Sequence, residues 1–189
     1  MYEVRLHGRG GQGAVMAAGI LAAAIVAEGR YAVSIPAFGF ERRGAPVVTF
    51  LRVDDREIRR MTNITDPDCV VCIDPTISRA VNVFAGLKAG GTLIQTTGRA
   101  LGELEVPDFV GTVAVIDAIA IAREIFRRPI TNTLMLGAFA RVTGAVSLAA
   151  LKQAIAESDL RDANPGQNMT ALDRGFNEVE IVHRNRGAA

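Results

Sequence analysis

The chain has 189 residues, enough for one domain or one domain with a short tail, and 49% of them are apolar, enough for a sizeable core. A formal net charge of +1 excludes both the basic surplus of a nucleic-acid binder and the acidic run of a disordered tail. Glu3, Arg5, His7 and Arg9 interrupt any secretory apolar segment, and the stretch around Ala14 to Ala27 is too short for a membrane span. A cytoplasmic protein with no membrane or nucleic-acid partner is expected.

In chain order, Tyr2 to Leu6 reads as a strand that runs into a glycine loop, and Gln12 to Glu28 as a helix ended by Gly29. Small residues such as Ala17, Ala18, Ala22 and Ala23 suit that helix to lying close on a sheet. Arg30 to Ile35 and Val47 to Val53 read as strands, with a turn at Asp54-Asp55 that suggests a hairpin. Asp68 to Ile73 is a continuous apolar run of the kind covered on both faces in parallel sheets. A helix is expected over Thr76 to Leu87, then strands over Thr92 to Thr96 and Gly111 to Ile116. Asp117 caps a helix over Ala118 to Phe126, and Pro129 stops it. A further helix runs from Asn132 to near Gly144, Ser147 caps Leu148 to Glu157, and a last helix is expected over Met169 to Phe176. The alternation predicts an α/β, Rossmann-like fold, with a mostly parallel sheet and helices on both faces. One domain over 1–180 and a C-terminal tail over 181–189 complete the organisation.

The loop after the first strand is Gly8-Arg9-Gly10-Gly11-Gln12-Gly13, with G-x-G-x-x-G spacing. Glycines permit a tight turn, and the following helix start offers N–H groups and partial positive charge to an anion. A dinucleotide site also needs an acid at the end of the second strand for the ribose. That strand ends Ser34-Ile35-Pro36, without one. The loop therefore reads either as an anion site or as a turn that packs helix on sheet.

A second unusual stretch, "FGFERRGAPV", places Glu41, Arg42 and Arg43 between glycines in a loop at the sheet's carboxyl edge. Two arginines suit a phosphate or carboxylate; alternatively Glu41 pairs with one of them and the loop docks a neighbouring subunit. The two cysteines, in "PDCVVCIDPT", have redox or half-zinc spacing. On a buried strand, however, positions i and i+3 face opposite sides, which parts the sulfurs. No G-x-S-x-G, Walker A lysine or paired-histidine motif occurs, so no catalytic residue and no metal ligand is assigned.

Together, "GRGGQGAV", "FGFERRGAPV", "PDCVVCIDPT" and "NTLMLGAFARVTGAVSLAAL" resemble the gamma subunit of 2-oxoacid:ferredoxin oxidoreductases of the pyruvate synthase type. The resemblance spans almost the whole chain. It implies a non-catalytic subunit of a complex that converts a 2-oxoacid and coenzyme A to acyl-CoA and CO2. Thiamine diphosphate, Mg2+ and iron–sulfur clusters would then belong to the alpha, beta and delta subunits, with ferredoxin or another acceptor taking the electrons. Coenzyme A would pass along an interface built from Gly8, Arg9, Gly10, Gly11, Gln12, Gly13, Glu41, Arg42, Arg43 and Asn132. The tandem "ERRGAP" is more like the pyruvate branch than the 2-oxoglutarate branch. Phe38 and Phe40 stand where pyruvate-type relatives usually carry tyrosine and proline, which leaves an aromatic 2-oxoacid such as phenylglyoxylate as a competitor to pyruvate. The alternative is a stand-alone dinucleotide-binding oxidoreductase or flavoprotein.

Overall fold

The computed structural model describes residues 1–37, 43–158 and 164–184. Seven strands form one sheet in the order β2-β3-β1-β4-β5-β6-β7. They are β1 (Tyr2–Arg9), β2 (Tyr31–Pro36), β3 (Pro46–Asp54), β4 (Cys69–Cys72), β5 (Thr92–Thr96), β6 (Thr112–Ile116) and β7 (Glu180–His183). The helices are α1 (Ala14–Ala27), α2 (Ala118–Phe126), α3 (Asn132–Thr143), α4 (Leu148–Glu157) and α5 (Pro165–Glu178). This is the expected α/β, Rossmann-like class, except that all five α-helices pack on one face of the sheet and not on both. The centre β1-β4-β5-β6 is parallel, and β3 and β7 run against it.

One face of the sheet carries Val4, Leu6, Leu51, Cys69, Val71 and Ile94, and residues of all five α-helices pack into the same core. Helix α3 lies deepest, with every residue from Asn132 to Ala140 buried. It meets α5 backbone to backbone, because Gly137 faces the Leu172 carbonyl and Gly175 faces the Leu134 carbonyl. The other face is thinner. Val70, Cys72, Leu93, Val113 and Val115 are covered by Ile77, Val83, Leu87 and Val110 from irregular chain and turns. Here arginines do what a helix would otherwise do. Buried Arg52 pairs with Glu3 at 2.8 Å and donates to the Arg60, Thr62 and Asn63 carbonyls. Arg5 donates to the Val83 and Ala85 carbonyls and, at 3.1 Å, to Nε2 of His7.

Several expectations need correction. The helix over Thr76 to Leu87 is a single 3-10 turn, Ile77–Arg79, followed by turns. The Asn82 side chain accepts from the Phe84 N–H, a local bond that competes with helix. Gly86 takes φ +71° directly over the Thr65 carbonyl, where no side chain fits. The hairpin expected at Asp54-Asp55 is absent; β3 instead pairs antiparallel with the preceding β2 and with β1. The last helix starts earlier than Met169, at Pro165, because Asn164 and Gln167 form a capping box. Residues 181–183, assigned to the tail, lie in β7 on the sheet's edge. No helix among the described residues is long and apolar enough to cross a membrane.

Candidate functional site

Strand β1 leads through α1 to β2 on one side, whereas β4 leads to β5 on the other. The carboxyl ends of β1 and β4 are therefore where the strand order reverses, the place at which open α/β sheets bind ligands. The segment that leaves β1 for α1 is short and constrained. Gly11 and Gly13 hold φ of +89° and +78°, which favours glycine at each. Gly13 is also the N-cap of α1, without a side-chain cap and with no acid in the first turn. The first N–H groups of α1 thus have no partner within the helix.

The crevice between β1 and β4 is filled by the protein's own groups. Asp74, just past β4, accepts from Gln12 Nε2 at 2.6 Å, Arg9 Nε at 3.3 Å and the Thr76 N–H and hydroxyl at 2.8 and 2.6 Å. Gln12 Oε1 accepts from the Arg9 N–H at 2.8 Å. Burial alone would raise the Asp74 pKa, but the bonds from Thr76 and Gln12 and the Arg9 charge outweigh it and hold it below the ordinary value. Arg9 also donates to the Gly44 carbonyl at 3.1 Å and to Thr76 Oγ1 at 2.9 Å. One guanidinium therefore clamps three loops.

The glycine loop and the loop before β3 meet, as expected. The Gly10 N–H donates to the Ala45 carbonyl at 2.9 Å, and the Gly44 N–H donates to the Gly10 carbonyl at 3.1 Å. A Cβ on Gly11 would stand 3.9 Å from Cγ of Arg43, which is exposed. Asn132 opens α3 beneath this loop, with its Nδ2 2.7 Å from where a Cβ on Gly13 would be. It is 6% exposed and its Oδ1 accepts from the Thr133 N–H, so it supports the loop from below. Gly8 is buried at the end of β1, close to the Ala14 side chain. Glu41, Arg42, Phe38 and Phe40 lie outside the described residues.

Asp74 and Thr76 were missed by the sequence reading. The usable signal was "DPT" directly after an apolar parallel strand. The cysteines fall as expected: both are buried and free, with Cys69 in the helix-side core and Cys72 in the opposite one. Burial pushes each thiol up to about 12.

Residues 3–178 match the family described as pyruvate ferredoxin/flavodoxin oxidoreductase. The chain belongs to that family, as a gamma-type subunit. Within it, the chain is 66% identical over 189 residues, the whole of both chains, to the NADH-dependent phenylglyoxylate dehydrogenase subunit gamma of Aromatoleum evansii. It is 46% identical over 183 residues to the pyruvate/ketoisovalerate oxidoreductases common subunit gamma of Thermococcus kodakarensis, covering 96% of this chain and 98% of the relative. The crystal structure of pyruvate oxidoreductase subunit PORC from Thermotoga maritima superposes with a TM-score of 0.83 at 37% identity, over 96% of this chain and 98% of that one. Among pyruvate ferredoxin/flavodoxin oxidoreductases, then, this chain keeps the whole gamma-type fold.

Proposed function

We propose that this chain is the non-catalytic gamma subunit of a complex that takes a 2-oxoacid and coenzyme A to acyl-CoA and CO2. The two electrons released pass to ferredoxin or, through another subunit, to NAD. The 66% identity to a phenylglyoxylate dehydrogenase gamma subunit favours an aromatic 2-oxoacid over pyruvate as the complex's substrate. The chain's own part is to dock the alpha, beta and delta subunits and to form one wall of the coenzyme A path.

The observation that carries the wall is the paired backbone bonding of Gly10 with Gly44 and Ala45, which seats Arg43 over Gly11, two residues before the N-cap of α1. Unpartnered helix N–H groups and a permanent cation together suit a phosphate. The cysteines do not suit an iron–sulfur cluster: they sit on opposite faces of β4 and their thiols resist ionisation. Clusters are therefore assigned to the partner subunits, and thiamine diphosphate and Mg2+ are assigned there with them on the family resemblance. The dinucleotide alternative is disfavoured because Gln12 and Arg9 close over Asp74 in the crevice that a pyrophosphate would enter.

Anaerobic purification of the tagged chain from its native host tests the reading. Partner subunits and iron should co-purify, and 2-oxoacid oxidation should require coenzyme A and be absent from the separated chain. A lone yellow protein active without partners would refute it.

A further inference from the structure

A second cleft opens on the thin face of the sheet, beyond the carboxyl ends of β4 and β5. Its volume is about 570 Å³, the size of a small-molecule site. Arg79, at the end of the 3-10 turn, and Arg99, in the turn after β5, both line it. Among the described residues, neither guanidinium lies within 4.0 Å of a carboxylate. Gln95 also lines the cleft; among the described residues its side-chain amide has no protein hydrogen-bond partner, and its polar atoms are reached by solvent rather than sealed off, so they are free to pair with a ligand. Beside it, the Thr97 hydroxyl accepts from the Arg99 N–H at 3.0 Å and keeps its own proton to donate. Phe84 and Glu105 line the same cleft.

The lining thus offers two cations and an amide together with an aromatic ring and a carboxylate. The cations and the donors select phosphate. Glu105 would repel phosphate but can accept from a sugar hydroxyl, and Phe84 offers a face to a planar base. We propose that this cleft binds a phosphorylated nucleoside, with phosphate on Arg79 and Arg99. The moiety has two chemical sources, a free nucleotide or the nucleotide end of coenzyme A. The cleft borders the glycine-loop site through Thr76, which lines it and also holds Arg9. Arg43 does not line the cleft, so the site stands or falls independently of the wall assigned to Arg43.

The test titrates the full chain with adenosine 3′,5′-bisphosphate by calorimetry, with adenosine and inorganic phosphate as comparison ligands. Saturable binding of one bisphosphate is expected, with both comparison ligands at least tenfold weaker. Arg79→Gln and Arg99→Gln should each weaken it tenfold or more while circular dichroism stays unchanged. Gln95→Leu should weaken it without any change in charge. Absence of saturable binding by the unaltered chain, or equal binding by both arginine variants, overturns the site. Inorganic phosphate binding as tightly as the bisphosphate overturns the nucleoside assignment. In the assembled complex, a tenfold rise in KM for coenzyme A with Arg99→Gln would identify coenzyme A as the source. An unchanged KM, with bisphosphate binding lost, would identify a free nucleotide. Arg43→Ala is titrated alongside: if it abolishes bisphosphate binding while Arg79→Gln and Arg99→Gln do not, the ligand sits at the glycine loop and the cleft is overturned, so failure of the wall and failure of the cleft are separable.

Discussion

Gln12 and Asp74 lie 62 residues apart and meet at 2.6 Å, amide to carboxylate, across the point where the strand order of the sheet reverses. The contact turns a flexible glycine loop into a fixed one. Asp74 also takes Arg9 and Thr76, and its side chain is only 9% exposed. Asp74→Asn keeps the shape but loses the charge and one acceptor. It should lower stability by about 1.5–3 kcal/mol, the range for a hydrogen bond to a charged group. The pKa of Asp74 is lower folded than unfolded, so its stabilisation is complete above the ordinary value near 3.8 and is lost as pH falls through the folded value. Denaturant melts of the wild type and Asp74→Asn should therefore differ at pH 7 and converge in acid. A constant difference down to the acid limit would contradict the network.

His7 responds to pH in a higher window. Burial first, then the Arg5 charge, pushes its pKa down from 6.5 to about 4. It accepts from Arg5 Nε and stays neutral in the fold. The unfolded chain binds a proton near pH 6.5 and the native chain only near pH 4, so stability falls as pH drops between these values. The full effect is about 3 kcal/mol. His7→Gln can still accept from Arg5 but does not titrate, and its stability should be flatter from pH 6.5 to 4. NMR titration of His7 showing a midpoint near 6.5 would remove the basis for this.

The strands and helices with purely local signals were legible in the sequence; the features fixed at long range were not. Asp117 and Ser147 announce helix starts, and the Cys69–Cys72 run announces a doubly covered strand. The direction of β3 is decided by its partners β1 and β2 and has no local signature. Over Thr76 to Leu87, helix-compatible residues lose to Asn82 and to the close approach of Gly86 to Thr65, a contact 21 residues back. The meeting of the glycine loop with Arg43 followed from topology, since both lie at the carboxyl edge. The fate of Arg9 and Gln12 did not, because Asp74 turns them inward.

The cysteines should be dispensable. Each is a buried small hydrophobe on β4 with its thiol pushed up to about 12. Cys69→Ala/Cys72→Ala should lower stability by about 1–3 kcal/mol through lost packing, and leave iron per assembled complex unchanged. Loss of iron in Cys72→Ala at wild-type assembly would show a role in a cluster.

Helix α1 is apolar all round: its sequence, AVMAAGILAAAIVA, contains no charged or polar side chain. A helix of that kind is normally buried on every side. Here Val15, Met16 and Val26 are 38%, 43% and 53% exposed. This face is the expected seat of a partner subunit. Met16→Glu should change the stability of the separated chain by no more than about 0.5 kcal/mol, as for a surface site. It should nevertheless reduce co-purification of partner subunits severalfold. A complex that assembles normally with Met16→Glu would move the interface elsewhere.

Arg43 is the most direct probe of the coenzyme A wall. It is exposed, it stands over Gly11, and its loop is pinned by Gly10 and by the clamp from Arg9 to Gly44. A cation fixed beside the free N–H groups of a helix start attracts phosphate; a cation that only holds a neighbouring subunit contributes to assembly instead. Arg43→Ala separates the two. On the ligand reading, the complex stays intact by gel filtration, KM for the 2-oxoacid is unchanged, and KM for coenzyme A rises by roughly 5- to 150-fold, corresponding to about 1–3 kcal/mol. Arg43→Lys should recover part of the loss, because charge is kept while the planar fork is not. If Arg43→Ala drops out of the complex, the loop is an interface. If it matches wild type in assembly and in both KM values, Arg43 is a solvated surface residue and the wall must be built without it.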